Sequence, residues 1–342
     1  MPTAGLSPNV ITYNAVIAAC AKGEKWKEAL ALLKEITAMT AVGLTPDVIS
    51  YSAAIAACAK GEKWKEALAL LEEMTAVGLT PDVISYSAAI SACAKGEQWK
   101  EALALLKEMT AVGLTPDVTT YSSAIDACSK GGQWKEALAL LKEMAAVGLT
   151  PNVITYNSAI DACSKGGQWK EALALLKEMT AVGLTPDVIS YSSAIDACSK
   201  EVTISACAKG EQWQEALALL KEMTAVGLTP DVISYSAAIS ACAKGEQWKV
   251  GLALLKKMTA VGLTPDVITY NSAIDACSKG GQWETALALL EEMAAVGLTP
   301  SVVGYSSAID ACARGGRWRE GVDLLEECAN CELSPTSSPT TP

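Results

Sequence analysis

The sequence predicts an all-α solenoid of about nine helix–turn–helix repeats of 35 residues, and three observations carry that expectation. The stretch Val83–Asp117 recurs as Val118–Asn152 and as Val153–Asp187, and it is preceded by Val48–Asp82. Tryptophans 26, 64, 99, 134, 169, 213, 248, 283 and 318 follow one another at intervals of 38, 35, 35, 35, 44, 35, 35 and 35 residues. Within each interval, apolar residues recur at spacings of three and four in two runs, and glycine or proline closes each run. A unit of this size cannot bury its own apolar face, so function is to be sought on the stacked surface.

The unit Val83–Asp117 gives the elements in order. A Pro-Asp pair, as at Pro116-Asp117, opens each first helix, because a short carboxylate at the N-cap accepts from the orphan amides of the first turn. Tyr86, Ala89, Ile90 and Cys93 fall on one apolar stripe of that helix, and Lys95-Gly96 ends it. The second helix opens near Trp99 and places Trp99, Ala102, Leu103, Leu106 and Met109 on one face, opposite Lys100, Glu101, Lys107 and Glu108. Gly113 supplies a positive-φ stop, and Pro116 prevents continuation.

Composition sets bounds. At 342 residues, length alone suggests two domains, but the repeat overrides that prior. Apolar residues make up 51% and Phe is absent, so aliphatic side chains, Ala and one Trp per unit must fill a long thin core. A net charge of −11 argues against non-specific nucleic-acid or anionic-membrane binding. No apolar run approaches the length of a membrane span.

Nine of the 12 cysteines (Cys20, Cys58, Cys93, Cys128, Cys163, Cys198, Cys242, Cys277 and Cys312) hold one repeat position on the buried stripe. Equivalent positions of packed helices lie roughly 8–10 Å apart, beyond the roughly 7 Å reach of a disulfide. They read as small core residues in a reducing compartment. Cys328 and Cys331 form a lone C-x-x-C, but zinc needs about four ligands and His is absent, so no metal site is expected.

Along the chain, residues 1–9 read as the tail of a truncated preceding repeat, 10–336 as the array, and 337–342 as a disordered tail. Met1–Asn9 resembles neither a transit peptide nor a signal peptide. The array is irregular at 10–47 and at 188–231. Three extra residues in Ile36–Met39 should lengthen the second helix of unit one by about one turn. In unit six, nine extra residues predict an over-long first helix or a bulge at Lys200–Ser205, with a break in the concave track.

No active site is legible. Without His no Ser–His or Cys–His pair can form. Paired carboxylates such as Glu72-Glu73 and Glu291-Glu292 read as solvated faces, and Gly131-Gly132 as filler of the interhelix turn. Neither an enzyme nor a cofactor is expected. A second stripe on the first helix comprises Ile84, Ser87, Ser91 and Ala94. Its aliphatic member either packs against the neighbouring unit or forms one of a row of apolar wedges that admit flat ligands.

The pattern V-I-[ST]-Y-[NS]-x-x-I-x-A-C-x-K-G-x-x-W-x-x-A-L-x-L-L-x-E-M-x-x-x-G-L-x-P-D resembles the pentatricopeptide repeat, over about Val10–Thr336. Ala-Cys closing the first helix and Trp opening the second resemble the versions of unicellular algae. The resemblance implies a right-handed superhelix that binds single-stranded RNA, one base per repeat, in organellar RNA processing, stabilisation or expression, with recruited protein factors and residence in chloroplast or mitochondrion.

The resemblance also assigns roles. Fifth and last residues of each unit read the base edge: Asn14 with Asp47, Ser52 with Asp82, Ser87 with Asp117, Ser122 with Asn152, Asn157 with Asp187, Ser192 with Asp231, Ser236 with Asp266, Asn271 with Ser301, and Ser306 with Thr336. Second-position aliphatics sandwich the base: Ile11, Ile49, Ile84, Ile154, Ile189, Ile233, Ile268 and Val303. Cations ending the first helix meet phosphate: Lys22, Lys60, Lys95, Lys130, Lys165, Lys209, Lys244, Lys279 and Arg314. The family's pairing rules then give the tract 5′-UGGAU(G)GCN-3′. A peptide- or protein-binding helical scaffold, like tetratricopeptide arrays, is the alternative, and the acidity leans toward it.

Overall fold

The computed structural model describes residues 8–200 and 212–333, so sequence expectations on residues 1–7, 201–211 and 334–342 lie outside it. The described residues form eighteen α-helices in two compact blocks, residues 1–166 and 167–342. The first block holds α1 (Val10–Lys22), α2 (Trp26–Ala38), α3 (Val48–Lys60), α4 (Trp64–Ala76), α5 (Val83–Lys95), α6 (Trp99–Ala111), α7 (Val118–Lys130), α8 (Trp134–Ala146) and α9 (Val153–Lys165). The second holds α10 (Trp169–Ala181), α11 (Val188–Lys200), α12 (Gln212–Ala225), α13 (Val232–Lys244), α14 (Trp248–Ala260), α15 (Val267–Lys279), α16 (Trp283–Ala295), α17 (Val302–Arg314) and α18 (Trp318–Leu333). No helix among the described residues is long and apolar enough to cross a membrane.

Helices of 13 residues are marginal alone; burial holds them. In each block the first helix of a unit packs against its own second helix and side by side with the first helices of adjoining units. Tyr86, Ala89, Ile90 and Cys93 are buried, as the stripe predicted. Side chains such as Ile90 and Met109, each 0% exposed, contribute about 1.5–3 kcal/mol apiece. On the second helix Leu105 takes the core place expected for Leu103, which is half-buried. Asp82, Asp117 and Asn152 N-cap as expected, accepting from the amides of Ser85, Thr120 and Thr155 at 2.8, 2.8 and 3.0 Å.

The extra residues of unit one do not lengthen α2, which keeps 13 residues. They form a 3₁₀ turn, Met39–Val42, because Ile36 takes the buried place that Met74 holds in unit two, and the left-handed stop moves to Gly43 at φ 88°. Unit six keeps its packing around its insertion: the Tyr191 hydroxyl reaches Glu222 at 3.0 Å, and Ser192 meets Ser234 at 2.7 Å, as in regular units. The over-long helix or bulge expected at Lys200–Ser205, and the break in the track with it, fall beyond Lys200 on residues 201–211, outside the described residues.

The glycine after each first helix does more than fill a turn. A Cβ on Gly131 would lie 2.2 Å from Cδ1 of Trp99, so this glycine seats the tryptophan of the preceding unit. The other ring face of Trp99 carries the Lys100 ammonium, 5.5 Å from the centroid.

The glutamate pairs are likewise more than solvated faces. One member accepts from a buried tyrosine, Tyr51 to Glu73 at 3.0 Å and Tyr270 to Glu292 at 3.0 Å, and the lone Glu108 does the same for Tyr86 at 2.9 Å. Burial first, and the carboxylate second, push Tyr51, Tyr86, Tyr121, Tyr191 and Tyr270 up to about 12. An unfolded tyrosine ionises near 10. Stability from these protonated rings is full below about pH 10 and is lost as pH rises through about 12. Helical circular dichroism is thus expected to collapse cooperatively between about pH 10 and 12. An unchanged spectrum at the upper end would show that the tyrosines do not couple to unfolding.

Candidate nucleic-acid interface

Within each block the first helices lie side by side and are backed by second helices, and each leaves a narrow open stripe. The second-position aliphatics stand on it: Ile11, Ile49, Ile84, Ile154, Ile189, Ile233, Ile268 and Val303 are 60–77% exposed. Residues packed against a neighbouring unit would be covered, so the packing alternative does not hold for them. Unit four places Thr119 there, also exposed.

Sequence periodicity placed positions two, five, nine and twelve on this stripe; the structure opens two, six, nine and thirteen. In unit two Ile49 and Lys60 are exposed and Ala53 and Ala56 half-buried, whereas Ser52 and Ala59 are buried. The reason is the neighbouring helix, which covers positions five and twelve at the junction between units. Accordingly Asn14, Ser52, Ser122, Asn157, Ser192 and Ser236 are buried, Ser87 and Asn271 half-buried, and Ser306 exposed.

Within each block, serines at the fifth position meet a hydroxyl on the next unit. Ser52 shares a hydrogen bond with Ser85 at 2.7 Å, Ser87 with Thr120 at 2.5 Å, Ser122 with Thr155 at 2.7 Å, and Ser236 with Thr269 at 2.5 Å. The same hydroxyl donates to the last residue: Ser85 to Asp82 at 2.7 Å, Thr120 to Asp117 at 2.8 Å, Thr155 to Asn152 at 3.0 Å. The structure thus brings together the paired fifth and last residues and adds a third member, the third residue of the following unit. Ser and Thr at that position stand in the repeat pattern, but nothing in the sequence sets them apart.

The bonds to Asp82 and Asp117 fall on Oδ1, leaving Oδ2 without a protein partner among the described residues. At Asp47, burial raises the carboxyl pKa, but bonds from Ser50 and from the Asn14 amide, 3.0 Å away, outweigh it and hold the group below its ordinary value. Thr336 lies outside the described residues.

The cations divide into two kinds. Lys130, Lys165 and Lys279 pair with Asp126, Asp161 and Asp275 one turn earlier at 3.0, 2.8 and 2.7 Å. Lys200 pairs with Asp196, and Arg314 with Asp310 at 2.9 Å. Lys22, Lys60, Lys95 and Lys244 follow Ala18, Ala56, Ser91 and Ser240, so they lack that carboxylate one turn earlier. Burial, then Lys279, lower the Lys244 pKa. Lys209 falls in 201–211, outside the described residues; the cation that ends α11 is Lys200. Asp four residues before Lys is a helical ion-pair spacing that the sequence already offered.

These features converge in unit three on a cleft of about 350 Å³, bounded by Lys60, Ile84, Ser87, Ser91, Asp117 and Thr119. Its floor is apolar, its end is a carboxylate, and its rim is cationic. A flat heterocycle with polar edges fits this chemistry.

The profile of the PPR repeat family matches residues 8–60, 46–95, 81–130 and 123–165, and that of the pentacotripeptide-repeat region of PRORP matches 154–338. The chain belongs to the pentatricopeptide repeat family. A search of curated proteins returned no match. Among solved structures, the pentatricopeptide repeat protein PPR10 in complex with an 18-nt psaJ RNA element is similar at 25% identity and TM-score 0.63, over 95% of this chain and 51% of that one. A cysteine-to-serine variant of PPR10, also in complex with an 18-nt psaJ RNA element, is similar at 22% identity and TM-score 0.54, over 96% and 56%. PPR10 from maize gives 28% identity and TM-score 0.47, over 94% and 49%. The chain spans about half the length of these relatives. For a pentatricopeptide array, the paired fifth and last residues are the expected base readers, and here they meet through a hydroxyl.

Proposed function

We propose that this array binds single-stranded RNA, one base per unit, and serves organellar RNA processing, stabilisation or expression. The observation that carries the reading is the cleft beside Ile84, which joins an apolar wedge, a polar pair and a cation in one place. The RNA bound to PPR10 supports it. First helices of packed units stand roughly 8–10 Å apart, whereas stacked bases rise about 3.4 Å. Bound bases are therefore separated, and each needs a surface on both faces, which exposed aliphatics of successive units supply. The fifth and last residues then select the edge, giving U-G-G-A for the first four units and C for the eighth.

Phosphates meet the cations unequally, because Asp126 and its equivalents neutralise the lysine beside them. The purified chain should bind a fluorescent RNA carrying UGGAU and neither a scrambled RNA nor a peptide pool. Changing Lys60 and Lys95 together to Gln should weaken all RNA binding and lower the salt slope by about 1.4, or about 0.7 per phosphate contact. Asp126→Ala should strengthen binding about threefold by freeing Lys130, the scale of a partly exposed ion pair. Equal binding of matched and scrambled RNA, or an unmoved slope, refutes this reading.

A further inference from the structure

In the eighth unit the shared arrangement fails at one place. Where other first helices carry Ser or Thr at their third residue, α17 carries Gly304. Asn271 Oδ1, which would face that hydroxyl, is the one buried side-chain polar atom without a partner among the described residues. The contrast with unit one is direct. There Asn14 Oδ1 accepts from Ser50 at 2.6 Å, and its Nδ2 donates to Asp47 at 3.0 Å. Asp47 can only accept, so the Asn14 amide has one orientation. Asn271 donates instead to the Ser301 hydroxyl at 3.0 Å, and a hydroxyl can accept or donate. If the amide turns over, Ser301 can donate to Oδ1, and Nδ2 then faces the gap beside Gly304. Either orientation leaves one amide atom unpartnered, so neither is selected.

We infer that the third-residue hydroxyl of the following unit is the positioning group that fixes which amide atom a base meets, and that Gly304 makes the eighth unit admit both pyrimidines. This rests on the RNA-binding reading and broadens its C at that position. With Nδ2 toward the base, the amide donates to O4 of uracil; with Oδ1 toward it, the amide accepts from the N4 amino group of cytosine. A serine at 304 would bond Oδ1 as Ser50 bonds Asn14 Oδ1, locking the first state. The added Cβ would approach Asn271 Oδ1 to 2.6 Å, but that atom is the end of a side chain free to shift.

The test uses the full chain and RNAs that carry the UGGAU tract and differ only at the eighth base. The parent should bind the C and U forms within about threefold, and Gly304→Ser should prefer U by about tenfold, the scale of one base-edge contact. Gly304→Ala adds the same Cβ without the hydroxyl, so its C-to-U ratio should stay at the parent's value. A ratio that Gly304→Ser leaves unmoved, or that Gly304→Ala moves equally, overturns the inference. If the parent also ignores bases one to four, the RNA-binding reading falls and the inference with it. Selectivity there beside an unmoved eighth base overturns the inference alone.

Discussion

Gly96→Ala is expected to destabilise the array by about 3 kcal/mol, the upper range for overpacking a filled site. Gly96 has φ −83° and ψ 6°, which any residue adopts, so backbone freedom is not the reason for glycine. The reason is space: a Cβ would fall 2.2 Å from Cδ1 and 2.7 Å from Cγ of Trp64, against the root of the ring rather than the free end of a flexible side chain. Trp64→Ala should itself cost about 3 kcal/mol. The double variant should lose less stability than the two single losses added together, since removing the ring removes the clash. Gly23 supplies the control: no tryptophan precedes it, and its nearest neighbour would be 3.6 Å away. Gly23→Ala should therefore lie within about 0.5 kcal/mol of the parent. Urea titration followed by circular dichroism measures all four. A near-neutral Gly96→Ala, or strict additivity in the double variant, would show that the contact is soft.

Asn152→Asp is expected to switch the fourth base from A to G with little change in stability. Asn152 caps α9 through Oδ1, bonded to the amide and hydroxyl of Thr155 at 3.0 Å each, and a carboxylate oxygen can take both bonds. The remaining atom changes from an amide Nδ2 that donates to an oxygen that accepts. Adenine offers an amino donor beside a ring acceptor; guanine offers two adjacent N–H donors. Only the second matches a carboxylate. Ser122, held to Thr155 at 2.7 Å, stays as the partner. The change in preference should be about tenfold, on the order of 1–2 kcal/mol for one rearranged charge-assisted bond. Binding of RNAs carrying UGGAU and UGGGU to parent and variant decides it. If both proteins rank the two RNAs alike, Asn152 is a helix cap and no more.

The sequence by itself determined the helices, because capping, periodicity and glycine stops are local. Asp82 and Asp117 could be read as caps, Trp99 as the start of a helix and Gly113 as its end. The buried stripe of Tyr86, Ile90 and Cys93 followed from spacing alone. The exposed aliphatic row was also visible, though not which way it faced. Everything at the junction between units was decided by tertiary structure. Whether Ser52 or Ala53 is the more open, whether Gly131 fills a turn or seats Trp99, and whether Ser85 only caps or also holds Ser52 depend on a neighbouring unit. A one-dimensional period places equivalent residues in register without fixing how far one helix is rolled against the next. That roll is set by packing, here by where tryptophan, glycine and the tyrosine–glutamate pair fit, and it turned the expected open stripe by about one residue.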